Sequence, residues 1–272
     1  MEIIWFAVFA VLLAGYFALE GFDIGLGMLL PVLARARERA GEPGTRQDQR
    51  DHLVAAMAPF VLANEVWLVA VAGTLFGVYP LLEGQVIGGL YGVVVALVTS
   101  WVLRDAGLWF RRRLDGGAWR AFWDAVLCAG SWGLALSWGV ALGSVVRGLP
   151  GQPFDVVGVL CGVVVAAVLA VHGRSFAAWR LSGPREIGHT GRRLTLTAAL
   201  AALPPVAVLA VAAPSLLDAT ASPQALSVLS VMALPVLPIL VVAQVWVWRT
   251  FSPGRDLRER ERTGTTRVLS FF

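Results

Sequence analysis

Lysine is absent from the 272 residues, and histidine and cysteine are scarce, with three and two copies. All 22 basic residues are therefore arginine, a bias that carries no mechanistic weight by itself. Cys128 and Cys161 lie far apart within apolar runs, which excludes a disulfide framework and a cysteine-based metal spacing. Charged residues make up only 15% of the chain, hydrophobic residues make up 57%, and the mean hydropathy is +0.72. That balance excludes an ordinary soluble domain and indicates a polytopic membrane protein. The net charge of +4 does not imply nucleic-acid binding, because the arginines fall in short clusters between apolar runs. The N-terminus lacks a charged region, a short apolar core and a small-residue cleavage site. Its apolar character starts at Ile3 and runs for nearly thirty residues, which reads as a retained helix.

A membrane span needs roughly 20 mostly apolar residues to cross about 30 Å of hydrocarbon. Seven segments qualify, approximately 3–31, 53–79, 85–110, 121–147, 154–178, 193–213 and 224–248. The expected fold is thus an all-α integral membrane protein with about seven transmembrane helices. Twenty of the 22 arginines sit in the loops after spans one, three and five and in the C-terminal tail. Positively charged short loops stay in the cytoplasm, so the N-terminus is expected outside and the C-terminus inside. Trp109, Trp119, Trp123, Trp179, Trp246 and Trp248 cluster near the same ends, where amphipathic rings favour the interface. Residues 1–150 read as a first bundle of four spans, 151–250 as a shortened second bundle of three, and 251–272 as a charged cytoplasmic tail.

Polar residues inside the spans are costly in hydrocarbon and carry most of the information. Glu20 and Asp23 in YFALEGFDIGLGMLLP share a helix face, with Ala18, Gly21 and Gly25 leaving room for a close neighbour. At about 1.5 Å per residue, Asp23 lies about 12 Å and Glu20 about 16 Å from the cytoplasmic end of span one. Asn64 and Glu65 in span two reach a similar depth, Arg104 and Asp105 follow in span three, and Asp124 stands near the cytoplasmic end of span four. Two readings are open: a hydrated proton inlet from the cytoplasm, or buried ion pairs that fix helix register. Arg104, paired with Asp105 or Asp124, reads as structural, since a buried arginine needs a partner. Glu20, Asp23, Asn64 and Glu65 read as proton-path candidates, because no cation other than Arg104 lies at their depth. His172, the one histidine inside a span, reads as a hydrogen-bonded helix-end residue. His52 and His189 are interfacial or in a loop, and Met28, Met57 and Met232 are not suitably placed as haem ligands. No metal site is expected.

The motifs ALEGFDIGLGMLLP at 18–31, NEVWL followed by GTLFGVYP at 64–80, and WRAFWD, GS and GVALGSVVRGLP within 119–150 resemble subunit II of the cytochrome bd-type quinol oxidases. The likeness resumes at LPVLPILVVAQVWVWRTF, 234–251, which is similar to the family's last helix. The resemblance implies a bacterial plasma-membrane subunit that ligates no haem itself and pairs with a homologous subunit I. Subunit I would hold haem b and haem d and bind the membrane quinol, with oxygen reduced to water using cytoplasmic protons. It also implies that this subunit contributes the interface, can bind lipid or a structural quinone, and can line a proton route. Two places depart from the family. PFVLAN puts Val61 and Leu62 where a tryptophan and an aspartate usually precede the Asn, and Trp109 stands where an acid is expected before Arg111. The competing expectations are a stand-alone cation- or proton-coupled transporter and a purely structural membrane subunit. The first is disfavoured because the second half, spans five to seven, shows no Gly-interrupted counterpart to span one bearing acids.

Overall fold

A computed structural model describes residues 1–149, 151–183 and 185–253. The charged tail assigned to 251–272 therefore lies almost wholly outside the described residues. Nine helices are present among those described: α1 (Glu2–Arg39), α2 (Arg46–Val78), α3 (Pro80–Gly89), α4 (Tyr91–Phe110), α5 (Gly117–Val146), α6 (Val156–Arg180), α7 (Ile187–Asp218), α8 (Pro223–Ala233) and α9 (Val236–Thr250). Taking α8 and α9 as one broken span, seven are long and apolar enough to cross a membrane.

Two boundaries differ from those read in the sequence. The segment 85–110 splits: its first residues belong to the separate ten-residue α3, which Pro80 starts at its first turn, and the chain breaks helical geometry at Leu90 before α4 begins. The run 224–248 splits at Leu234–Pro235. Pro235 lacks an N–H, and the ring of Pro238 crowds the carbonyl four residues before it, at Leu234. Elsewhere helices outrun the apolar core. At 38 residues α1 spans about 57 Å, and it closes on Arg37 and Arg39, cations that suit the negative end of the helix dipole. The next helix starts on a capping box, in which the Thr45 N–H donates to Asp48 and the Asp48 N–H donates back to the Thr45 hydroxyl.

α1 is the central helix and packs against α2, α5, α6 and α7. Every residue from Glu20 to Met28 is buried, so protein covers that stretch on all faces. Glycine makes this possible. A Cβ at Gly25 would overlap the backbone carbonyl of Leu169 on α6, and one at Gly173 would meet the backbone of Gly25 and Leu26, so α1 and α6 touch backbone to backbone. One continuous apolar core runs from Trp5 through Leu134 and Leu169 to Leu240, joining residues before and after position 150. By contrast α4 is peripheral: it buries only Val93, Arg104, Gly107 and Leu108, while Val95, Val98, Val102 and Leu103 face outward.

Candidate functional site

Arg104 points inward from this peripheral helix and is fully buried. α5 lies directly against its backbone, since a Cβ at Gly130 would stand 2.5 Å from the Arg104 nitrogen. Its Nη1 approaches three carboxylates: Glu20 Oε1 at 2.7 Å, Asp105 Oδ1 at 3.3 Å and Glu65 Oε1 at 3.4 Å. The indole N–H of Trp101 also donates to Glu65, at 3.4 Å. Burial grades across the cluster, with side-chain exposures of 1% for Glu20, 13% for Glu65 and 23% for Asp105. One guanidinium therefore faces three acids arranged from the bundle surface to its interior. Glu20 Oε2 and Arg104 Nε and Nη2 have no hydrogen-bond partner among the described residues.

A second polar chain begins one turn further along α1. Asn64 donates to Asp23 Oδ2 at 2.6 Å and to the Leu19 carbonyl at 3.0 Å. Gln244 of α9 donates to Asn64 Oδ1 at 2.8 Å and accepts from the Trp67 indole at 3.2 Å. This chain ties α1, α2 and α9 together in the interior, where each unmet polar group would cost about 1–3 kcal/mol. Beside it, Leu19, Gln244, Val245, Trp248, Arg249 and Ser252 line a groove of about 470 Å³.

The residues singled out in the sequence thus fall into three groups. Glu20, Glu65, Arg104 and Asp105 meet, whereas Asp23 and Asn64 form the neighbouring chain. Asp124 goes elsewhere. It accepts from Arg111 Nε at 2.8 Å and lies 3.3 Å from Arg50, near the arginine-rich helix ends. The pairing of Arg104 with Asp124 is replaced by Arg104 with Glu20, because seven residues of α4, about two turns, separate Arg104 from Arg111. Glu20 and Glu65, taken as acids without a cation of their own, share that of Arg104. His172 is buried between helices, with Nε2 donating to the Ala18 carbonyl and Nδ1 bonded to the Thr197 hydroxyl, each at 2.9 Å. Both ring nitrogens are engaged, so the residue does not fit a haem iron. Among the described residues no group of three or more His, Cys, Asp or Glu could hold a metal ion. Leu62 is exposed on α2, one turn before Glu65.

Two residues of these polar clusters carry no signal in the sequence. Gln244 is a lone amide in an apolar run, and Asp51, which contacts Arg111, Arg112 and Arg120, stands outside every motif.

The sequence is similar to those of known proteins. The chain is 28% identical over 227 residues to the cytochrome bd-I ubiquinol oxidase subunit 2 of Escherichia coli, covering 78% of this chain and 56% of that one. It is 31% identical over 191 residues to the cytochrome bd ubiquinol oxidase subunit 2 of Bacillus subtilis, covering 66% and 54%. It spans about half the length of these relatives. The bacterial relatives and seven apolar helices make it a multi-pass protein of the bacterial cell membrane. Residues 1–217 match the family model for cytochrome bd terminal oxidase subunit II, and the chain belongs to that family.

Proposed function

We propose that this chain is the subunit II of a cytochrome bd-type quinol oxidase, and that the Glu20–Arg104 cluster is a proton inlet to the site of oxygen reduction. Haem b, haem d and the oxidised quinol belong to a homologous subunit I, against which the first four spans pack. The arginine-rich ends face the cytoplasm.

The observation that carries the inlet is the graded cluster around Arg104. Reducing oxygen to water consumes one proton per electron, and in hydrocarbon those protons need titratable carriers. Arginine stays protonated and can stabilise only one carboxylate charge fully. The remaining acids can be neutralised by protons, and because all three address the same nitrogen, a proton moving between them changes which one carries the charge. Asp105 and Glu65, nearer the surface, receive protons and Glu20 passes them inward. In this reading they take over the task of the acid replaced by Leu62. Asp23 and Asn64 form an inner branch, with Asn64 fixing the Asp23 carboxyl. The groove beside Gln244 is our candidate seat for a structural quinone, since it pairs apolar walls with an amide.

The test is to tag the chain in its source cells and purify it in mild detergent. A haem-bearing second subunit should co-purify, and the eluate should consume oxygen when quinol is added. Recovery of the chain without haem and without quinol-dependent oxygen consumption would end the oxidase reading.

A further inference from the structure

At the arginine-rich end, where α2, α4 and α5 converge, four arginines gather on two aspartates. Arg111 Nη2 lies 2.8 Å from both Asp51 Oδ1 and Asp124 Oδ1. Arg112 and Arg120 share the other Asp51 oxygen, each at 3.3 Å. Arg50 takes the remaining Asp124 oxygen at 3.3 Å, and Gln47 donates to that oxygen at 3.2 Å. Both carboxylates are saturated while guanidinium charge remains. Arg111 is buried, yet its Nη1 has no hydrogen-bond partner among the described residues, and the same holds for the Nε atoms of Arg50 and Arg120. Arg112 and Arg120 are about a third exposed, at 35% and 30%, so the surplus reaches the surface. Asp48, two residues before Arg50, is committed to the Thr45 cap. Arg113 and Asp115 in the following turn are of opposite charge and cancel.

Guanidinium cannot shed its proton at physiological pH, so this surplus calls for an anion. The surroundings identify which kind. Phe110 stacks on Trp123 with centroids 5.1 Å apart, Trp119 and Phe122 pack edge-on to the same ring, and Phe110 and Phe122 are exposed. Such an aromatic cluster marks the headgroup level of a bilayer, with acyl chains below. We propose that the Arg50–Arg111–Arg112–Arg120 cluster is a binding site for the phosphate of an anionic phospholipid headgroup, with the Phe110–Trp123 cluster against its acyl chains. Bidentate guanidinium contacts to phosphate and basic pockets between membrane helices are the general precedents. The site is independent of the proton-inlet reading.

The test uses the full chain in detergent, titrated with phosphatidylglycerol, phosphatidylcholine or inorganic phosphate while thermal unfolding is followed. Phosphatidylglycerol should stabilise the wild type with a half-saturating concentration about tenfold below that of phosphatidylcholine. The Arg112→Gln/Arg120→Gln double variant should raise that concentration about tenfold, while Arg113→Gln leaves it unchanged. If the double variant fails to fold, Arg112→Gln alone should give a shift of about fivefold, and Arg112→Lys/Arg120→Lys should keep the preference for anionic lipid. Equal effects of the two lipids, an unaltered response in the glutamine variants, or an equal loss in Arg113→Gln would overturn the proposal. Full stabilisation by inorganic phosphate alone would overturn its assignment to lipid.

Discussion

α4 presents two arginine centres of opposite balance, about two turns apart and on one side of the helix. At Arg104 one cation faces three acids, deep among the helices. At Arg111 four cations face two acids, at the helix ends. The imbalance has different consequences because the two charged groups differ in chemistry. Surplus carboxylate can be settled by protons, which come and go, whereas surplus guanidinium can be settled only by another anion. The first arrangement suits proton transfer and the second suits anchoring.

The largest test of the contrast replaces each hub in turn. Arg104→Leu leaves buried Glu20 without its one cation and should cost about 3–5 kcal/mol, read by denaturation in detergent micelles. Arg111→Leu should cost less, about 1–3 kcal/mol, because Arg50 stays on Asp124 while Arg112 and Arg120 stay on Asp51. Equal losses would break the distinction between an unshared and a shared cation. Next in size, Asn64→Leu should cost about 1–3 kcal/mol by stranding Asp23 and Gln244, with no change at the Arg104 cluster.

The smallest effect concerns a simple one-to-one pair, Arg147 with Asp155, partly exposed at the opposite end of α5. The Arg147 guanidinium, aided by the Gly158 N–H, holds the Asp155 carboxyl below the usual carboxylate range. A lowered value means that the contribution is complete above the ordinary pKa of about 3.9 and is lost as pH falls through the lower, folded-state value. Asp155→Asn keeps a helix cap but removes the charge. The small Tm gap between it and the wild type should hold steady from pH 7 to about 5 and shrink below about pH 4. A gap that persists in acid would show that the pair acts through packing and not charge.

Much of this was legible in the amino-acid order. Apolar run length marked the seven spans, and the spacing of Glu20, Gly21, Asp23 and Gly25 marked α1 as a helix enclosed by protein. Local breaks were harder, because Leu90 and Pro235 sit inside continuous apolar runs where hydropathy does not change. Pairing across the bundle was the least legible part. Depth along the chain put Arg104, Glu20 and Glu65 at a similar level, but which acids face it depends on the rotation of α4 against α1 and α2, set by contacts such as Gly130 on α5. Asn64 and Gln244 meet across 180 residues, and nothing in either local sequence announces the other.

The central claim is that Glu20 carries protons, and Glu20→Gln tests it while retaining shape and a hydrogen bond to Arg104. In the purified oxidase complex, with haem absorbance at the wild-type level, quinol-driven oxygen consumption should fall at least about tenfold. Wild-type oxygen consumption in that variant, with the haems in place, would contradict the proton role of the cluster.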